Sequence, residues 1–394
     1  PLLNGNFLWG SERSGFNHLY MYNLYDNSNY QITKGNWQVD SIVGIDHDKE
    51  IIYFSANKDS YIGKNIFSIK FNGESITKIS SSNGTESAIF DPISKTLAIT
   101  ESSLFSLPRF SLVDCKEKIR TECVDIILND DRIKTFNLIP PEIITLESSS
   151  KDQLYAAIYV PDKEMFSPPY PTVLYVYGGP HSQLVNNSYS LTASMRIQRL
   201  RQNGFLVCVL DNRGTARRGT KFESYLRNNM GNTEVEDQVK GIEHLINVGL
   251  SDPENVAVYG WSYGGYMSLM CLAKAPEIFK VAISGAPVTS WEYYDTHYTE
   301  RYMGDPIQNS EGYKKSSVLS YVANIKGNLL LIHGMLDENV HFRHTSILLD
   351  SLISNNKDYE LLLFPDSRHM PTKIKDRVYM ENKIFNFIER NLCE

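Results

Sequence analysis

The stretch Val256-Ala257-Val258-Tyr259-Gly260-Trp261-Ser262-Tyr263-Gly264-Gly265-Tyr266-Met267 decides how this chain is read. A short apolar run suited to a buried strand leads into the pentapeptide Gly260 to Gly264, of the form G-x-S-x-G, and the residues after it suit a helix. A serine at such a strand-to-helix turn has its hydroxyl displayed above the edge of a parallel sheet. Glycines on either side remove the side chains that would collide with the neighbouring strand and helix. The competing reading is a softened bend with one polar residue in it; the strand before and the helix after favour the displayed nucleophile.

Outward from that turn, apolar runs at 172–177, 205–210, 256–259, 280–285, 329–332 and 359–364 alternate with helical segments. Short buried strands alternating with helices predict an α/β fold with a doubly wound, mostly parallel sheet. Ligands in such folds gather at the carboxyl ends of the strands, which narrows the search for chemistry. Thr233-Glu234-Val235-Glu236 has the spacing of a capping box, with Thr233 as cap and Glu236 at the third helical position, opening a helix that ends near Gly249. Its acids are assigned to the helix dipole and not to catalysis.

A serine hydroxyl is too weakly acidic to attack unaided, so a histidine must take its proton and an acid must orient that histidine. In this kind of fold they follow in the order serine, acid, histidine. Asp337 lies in the loop after the run 329–332, and His369 in the loop after 360–364. His333 competes for the base but reads as a packed core histidine, and His341 and His344 are expected to face away from any strand end. Glu338 and Asp366 are the competing acids, each less well placed. For the oxyanion, the backbone N–H of Tyr263 supplies one donor. The loop Tyr177-Gly178-Gly179 supplies the second, either from a glycine N–H or from the Tyr177 hydroxyl. Trp291, Tyr294, Tyr298 and Tyr302 recur at helical spacing, a stripe that serves either as core or as the wall of a pocket.

The first third has a different pattern. Phe7-Leu8-Trp9, Ile52-Tyr53-Phe54 and Leu97-Ala98-Ile99 recur roughly 45 positions apart, the period of a propeller blade. Each is followed by a second strand-like run, at His18–Tyr22, Asn65–Ile69 and Phe110–Val113. Three blades cannot close a propeller, so the expectation is an incomplete β-propeller over residues 1–137, from a chain whose true start lies upstream, followed by a catalytic domain over 138–394. An antiparallel sandwich is the alternative.

The composition is that of a globular chain, with 42% hydrophobic and 22% charged residues. A net charge of −7 and no basic block argue against nucleic-acid binding. No apolar stretch approaches the roughly 18 residues that span a bilayer, and no signal peptide or anchor is visible. The five cysteines form no C-x-x-C pair and are read as buried thiols, with a Cys115–Cys123 bridge as the alternative for a secreted protein.

The segments VYGGPHSQ, DNRGTARRGTKF, GNTEVEDQ, YGWSYGGYMSLM, WEYYDTHYTERYMG and IHGMLDENVHF together closely resemble the prolyl oligopeptidase family of serine peptidases, in its dipeptidyl peptidase IV branch. The resemblance runs through most of 140–394 and implies an α/β-hydrolase domain behind the last propeller blades. It implies a Ser262, Asp337, His369 triad and favours the Tyr177 hydroxyl as second oxyanion donor. It turns the aromatic stripe into a specificity pocket: Tyr263, Val288, Trp291, Tyr294, Tyr298 and Val340 would enclose a penultimate proline or alanine, and Asn339 would hold a substrate carbonyl.

Two departures stand out. PDSRHMPTK differs from the acidic run before the histidine in some relatives. Aminodipeptidases of this branch hold the substrate amine with a Glu-Glu pair, and this sequence contains none; a buried ammonium without a carboxylate is costly, so the resemblance implies that the pair lies upstream. The expected activity is release of X-Pro or X-Ala dipeptides with no metal or organic cofactor. An acylaminoacyl peptidase, a carboxylesterase or a catalytically silent binding relative are the alternatives. Homodimers are common among the relatives and are expected as one possible state.

Overall fold

In the first unit, the blade-like repeat becomes three antiparallel sheets. In a computed structural model, residues 2, 5–123 and 131–393 are described. Strands β1 (Asn6–Ser11), β2 (His18–Asn23) and β3 (Asn29–Gln31) form the first sheet. The second holds β4 (Val39–Asp46), β5 (Ile51–Ala56), β6 (Asn65–Lys70) and β7 (Thr77–Lys78). The third holds β8 (Thr85–Asp91), β9 (Thr96–Ser103), β10 (Ser106–Asp114) and β11 (Ile119–Cys123). The recurring apolar runs fall on β1, β5 and β9 and the following ones on β2, β6 and β10, so the period marks equivalent strands of successive sheets.

Alternation along β5 explains the stacking. Phe54 and Ile52 join Leu19, Met21, Trp37 and Phe67 in one apolar cluster, while Tyr53 points the other way and joins Phe90, Leu97, Ile99 and Val113 in a second. The middle sheet is covered on both faces, as a propeller blade is and as a two-layer sandwich is not. The sequence reading overlooked β4, whose pairing with β5 is irregular between Val39 and Ser41 and between Ile42 and Gly44; such bulges break the two-residue period on which a strand is recognised. Cys115 and Cys123 are free thiols here, so the alternative of a bridge between them is not realised; Cys208 and Cys271 are buried as expected, and Cys393 is exposed.

This unit comprises Pro1–Pro140 together with Val185–Ser194 and Ala216–Phe222. Both later segments are held by specific bonds within it. The Arg217 guanidinium forks onto Asp40 at 2.8 and 2.9 Å and reaches Gly63 O at 2.7 Å, and Thr192 Oγ1 donates to Leu104 O at 2.7 Å.

The second unit is built on one sheet of eight strands: β12 (Glu142–Glu147), β13 (Gln153–Tyr159), β14 (Tyr170–Val176), β15 (Leu206–Asp211), β16 (Ser251–Trp261), β17 (Val281–Gly285), β18 (Asn328–Gly334) and β19 (Glu360–Phe364). Their order is β12-β13-β15-β14-β16-β17-β18-β19. From β15 through β19 the pairs are parallel, and β12 and β13 join antiparallel at one edge. All six predicted runs are strands of this sheet. The chain leaves β14 to one side for β15 and returns to its other side for β16, a topological switch at the carboxyl ends of β14 and β16.

Helix Tyr263–Lys274 follows β16 and packs on β16 and β17. Its residues Tyr263 to Ala273 are all buried, which is why its sequence shows no polar face. The helix predicted from Thr233 spans Thr233–Asn247, but its cap is Asn232, with Thr233 already inside the first turn. Glu234, not Glu236, turns back to the free N–H groups of Gly231 and Asn232. Among the described residues no helix is long and apolar enough to cross a membrane.

Candidate active site

Ser262 sits between the end of β16 and helix Tyr263–Lys274 with φ 60° and ψ −117°, a backbone conformation that side chains other than glycine's rarely adopt. The surroundings over-determine it. A Cβ on Gly260 would lie 2.3 Å from Gly264 O and 2.5 Å from Val176 O, and one on Gly264 would lie 2.3 Å from Val176 O. The expected collisions on both sides of the serine are therefore real, and both are with main chain. Gly265, which the pentapeptide does not include, is held as tightly: its Cβ would meet Gly285 O at 2.3 Å. Ser262 N donates to that same Gly285 O at 2.8 Å.

Asp337 and His369 lie in the loops that follow β18 and β19, the two neighbouring strands. His369 Nδ1 is 2.7 Å from Asp337 Oδ2. The other oxygen, Oδ1, accepts from Asn339 N at 3.0 Å and Val340 N at 2.9 Å. Burial works to raise the Asp337 carboxyl, but hydrogen bonds from His333, His369 and the Val340 N–H outweigh it and hold the group well below the usual carboxylate range. An anionic Asp337 makes Nδ1 of His369 a donor, which leaves Nε2 as the nitrogen that can accept a proton. The loop of His369 is also tied to the serine turn, because Trp261 Nε1 donates to His369 O at 2.9 Å.

The competing residues have other occupations. His333 is fully buried, with Nδ1 2.7 Å from Thr345 Oγ1 and Nε2 2.8 Å from Val340 O, and Nε2 also lies 3.4 Å from Asp337 Oδ2. It packs in the core as expected and touches the carboxylate as well. His344 does not face away from the strand ends. It is buried, and its Nδ1 accepts from Thr289 N at 3.2 Å in the segment after β17. Glu338 and Asp366 pair with Arg368 and Lys373 at the surface. Of the acidic helix start, Glu234 and Asp237 are buried and Asp237 is engaged by Arg213 at 2.8 Å.

The loop after β14 brings Tyr177 beside the residue that follows the serine, with the Tyr177 and Tyr263 rings 5.9 Å apart. Burial pushes the Tyr177 phenol up and keeps it protonated, a hydrogen-bond donor at neutral pH. Gly179 lets the two meet, since a Cβ there would lie 2.7 Å from Tyr263 Cγ. The aromatic stripe is not one helix: Trp291 belongs to a 3-10 turn, Trp291–Tyr293, and Tyr298 and Tyr302 to helix Thr296–Met303. The rings converge even so. Trp291 lies 5.5 Å from Tyr263, 5.9 Å from Tyr294 and 6.1 Å from Tyr298. Val288 and Val340 are buried, and Asn339 Oδ1 accepts from the Tyr294 hydroxyl at 2.8 Å.

Two contacts of this region escaped the sequence reading, the Trp261–His369 bond and a bond from the Tyr263 hydroxyl to Glu234. Both join residues far apart in the chain, where no local sequence pattern marks a contact.

A model of the prolyl oligopeptidase family matches residues 191–394, and one of the dipeptidyl peptidase IV N-terminal region matches residues 3–107. Dipeptidyl peptidase 8 of Homo sapiens is 35% identical over 98% of this chain and 47% of its own length. Prolyl endopeptidase FAP of Bos taurus is 32% identical over 91% of this chain and 48% of its own. The crystal structure of Porphyromonas gingivalis dipeptidyl peptidase 4 superposes with a TM-score of 0.93 at 30% identity, covering 99% of this chain and 55% of that one. The chain thus spans about half the length of the curated relatives it matches. With that family's model over more than half of its residues, the chain belongs to the prolyl oligopeptidase family.

Proposed function

We propose that this chain works as a serine peptidase that releases X-Pro or X-Ala dipeptides from peptide N-termini, with residues 138–394 as its catalytic domain and 1–137 as propeller blades. The observation that carries the reading is the 2.7 Å contact of His369 Nδ1 with a buried, anionic Asp337, on the sheet edge where Ser262 stands on a strained turn. The names of the relatives, dipeptidyl peptidase 8 and prolyl endopeptidase FAP, support the substrate class.

In this mechanism His369 Nε2 takes the proton of Ser262 as Oγ attacks the carbonyl carbon of the penultimate proline or alanine. The oxyanion is met by the Tyr263 N–H and the Tyr177 hydroxyl; each such donor typically contributes about 2.7 to 4 kcal/mol to the transition state. His369 then gives its proton to the leaving amine, and water repeats the sequence on the acyl-enzyme. Asp337 holds the imidazole in the required tautomer. Tyr263, Val288, Trp291, Tyr294, Tyr298 and Val340 form the wall against which a flat, compact pyrrolidine ring packs, and Asn339 binds a substrate carbonyl.

Ser262→Ala is expected to abolish turnover of a Gly-Pro chromogenic amide by the full-length protein; undiminished turnover would overturn the assignment. Preference for an N-blocked peptide or a short ester over the free Gly-Pro amide would reject the aminodipeptidase reading in favour of an acylaminoacyl peptidase or esterase. Failure of a fluorophosphonate to label Ser262 would point to a silent binding protein.

A further inference from the structure

Glu234 is a fully buried carboxylate that no step of this mechanism uses. It is the second residue of helix Thr233–Asn247. Its Oε1 accepts from Gly231 N at 2.8 Å and from the Tyr263 hydroxyl at 2.7 Å, and its Oε2 accepts from Asn232 N at 3.1 Å. Burial pushes the carboxyl up, and these donors act against that. Capping its own helix requires only the two backbone donors. The third reaches across to the residue that follows the proposed nucleophile.

The Tyr263 ring is otherwise placed by contact alone. It stands 5.9 Å from Tyr177, 5.5 Å from Trp291 and 5.4 Å from Tyr266, and closes over Gly179. Flat apolar contacts let a ring slide and tilt, whereas a hydrogen bond at its tip fixes both depth and plane. A pocket wall fixed in this way discriminates between a five-membered ring and a methyl group, because the larger residue gains or loses more contact when the wall moves.

We propose that Glu234 is a positioning residue for the substrate pocket: by holding the Tyr263 hydroxyl it sets the depth of that wall and hence the preference for proline over alanine before the scissile bond. The inference rests on the peptidase reading above. It assigns Glu234 no contact with substrate.

The test compares Glu234→Gln, Tyr263→Phe and the double variant in the full-length protein, on Gly-Pro and Gly-Ala amides, with active serine counted by fluorophosphonate. Glutamine keeps the size but carries one acceptor oxygen in place of two, so it cannot satisfy all three donors. The expected result is about a tenfold loss of kcat/KM on Gly-Pro and a smaller loss on Gly-Ala in each single variant, with the double variant no worse than the poorer single. An unchanged Pro-to-Ala ratio in Glu234→Gln, or losses that multiply in the double variant, would overturn the inference and leave Glu234 as a helix cap. An unsubstituted protein that takes the fluorophosphonate but does not cleave Gly-Pro amide would instead overturn the peptidase reading beneath it.

Discussion

Ser262 and His369 are brought to the same sheet edge by two regions of unlike construction. Around the serine, the space is closed by main chain: Gly260, Gly264 and Gly265 lie against carbonyl groups of Val176, Gly264 and Gly285, at the ends of β14 and β17 and in the helix start. Around the histidine, the side chain is about a quarter exposed and is held by its bond to Asp337, while its loop is fixed by Trp261 on the His369 carbonyl, by Leu336 N on Ser367 O at 3.0 Å and by the close approach of Gly334, where a Cβ would lie 2.1 Å from Arg368 O. Backbone carbonyls inside a sheet cannot retreat, whereas side-chain hydrogen bonds can be weakened singly. Main chain thus fixes the turn at Ser262 and much of the loop at His369, whereas the His369 imidazole itself is set by a side-chain bond that can be cut on its own.

The largest effect is expected where the adjustable side is cut. Asp337→Asn replaces an acceptor with a group that also donates, so the ring of His369 is held in the wrong tautomer, and kcat should fall about 10⁴-fold while the protein stays folded. Steady-state turnover of Gly-Pro amide with a thermal melt on the same sample checks this. A loss under tenfold would mean that His333, 3.4 Å from the same carboxylate, or another group orients the base.

The matching cut on the rigid side is Gly264→Ala. The added methyl would lie 2.3 Å from Val176 O, and with main chain on both sides the cost of about 3 kcal/mol or more should appear as lost stability, not as a change in pH profile. Denaturant unfolding measures it. If the variant melts like the parent but loses fluorophosphonate labelling, the turn has bent instead and the elbow is softer than its contacts indicate.

The same contrast explains what could be read in the sequence. The turn at Ser262, the six parallel-sheet runs and the placement of Asp337 and His369 just past two strands were legible because each is a local pattern: apolar residues in short runs, glycines where main chain crowds, a polar group just past a strand. The family resemblance was legible for the same reason, in ordered segments from 140 onward. What was misread depends on distant partners. The Thr233 cap failed because the cap is Asn232, one residue earlier, and Glu234 takes the N–H groups of Gly231 and Asn232 while also binding Tyr263, 29 residues on. His344 was expected to face away from the strand ends, and only the fold places Thr289 beside it. The aromatic stripe had helical spacing but is folded as a turn and a separate helix.

His344 offers a smaller effect that isolates the anchoring of the segment between Asp337 and the following helix. Burial lowers it from 6.5 to about 4, and the Thr289 N–H donating to Nδ1 fits the neutral ring. Below pH 6.5 the unfolded chain takes up a proton that the folded one refuses. Stability from this site is therefore full above about pH 6.5 and declines by about 3 kcal/mol as the pH falls to about 4. His344→Gln should flatten the slope of unfolding free energy against pH across that window while leaving the slope above it alone. An unaltered slope would show that other groups set the acid lability.

The smallest effect tests a tie between the two regions. Trp261 precedes the serine on β16, and its Nε1 donates to the carbonyl of the base itself. Trp261→Phe keeps most of the ring area that covers Gly285, where a Cβ would lie 2.0 Å from Trp261 Cε3, but removes the donor. A net hydrogen bond of this kind contributes about 1 kcal/mol. If the tie only adds stability, the melting temperature falls and kcat/KM does not. If it steadies the base against the nucleophile, kcat should drop about fivefold with KM nearly unchanged, because the interaction then matters chiefly in the transition state. We expect the second outcome, since this bond is made to the main chain of His369 itself, whose imidazole is otherwise held by Asp337. A variant with unchanged kcat would place the whole burden of aligning the base on Asp337.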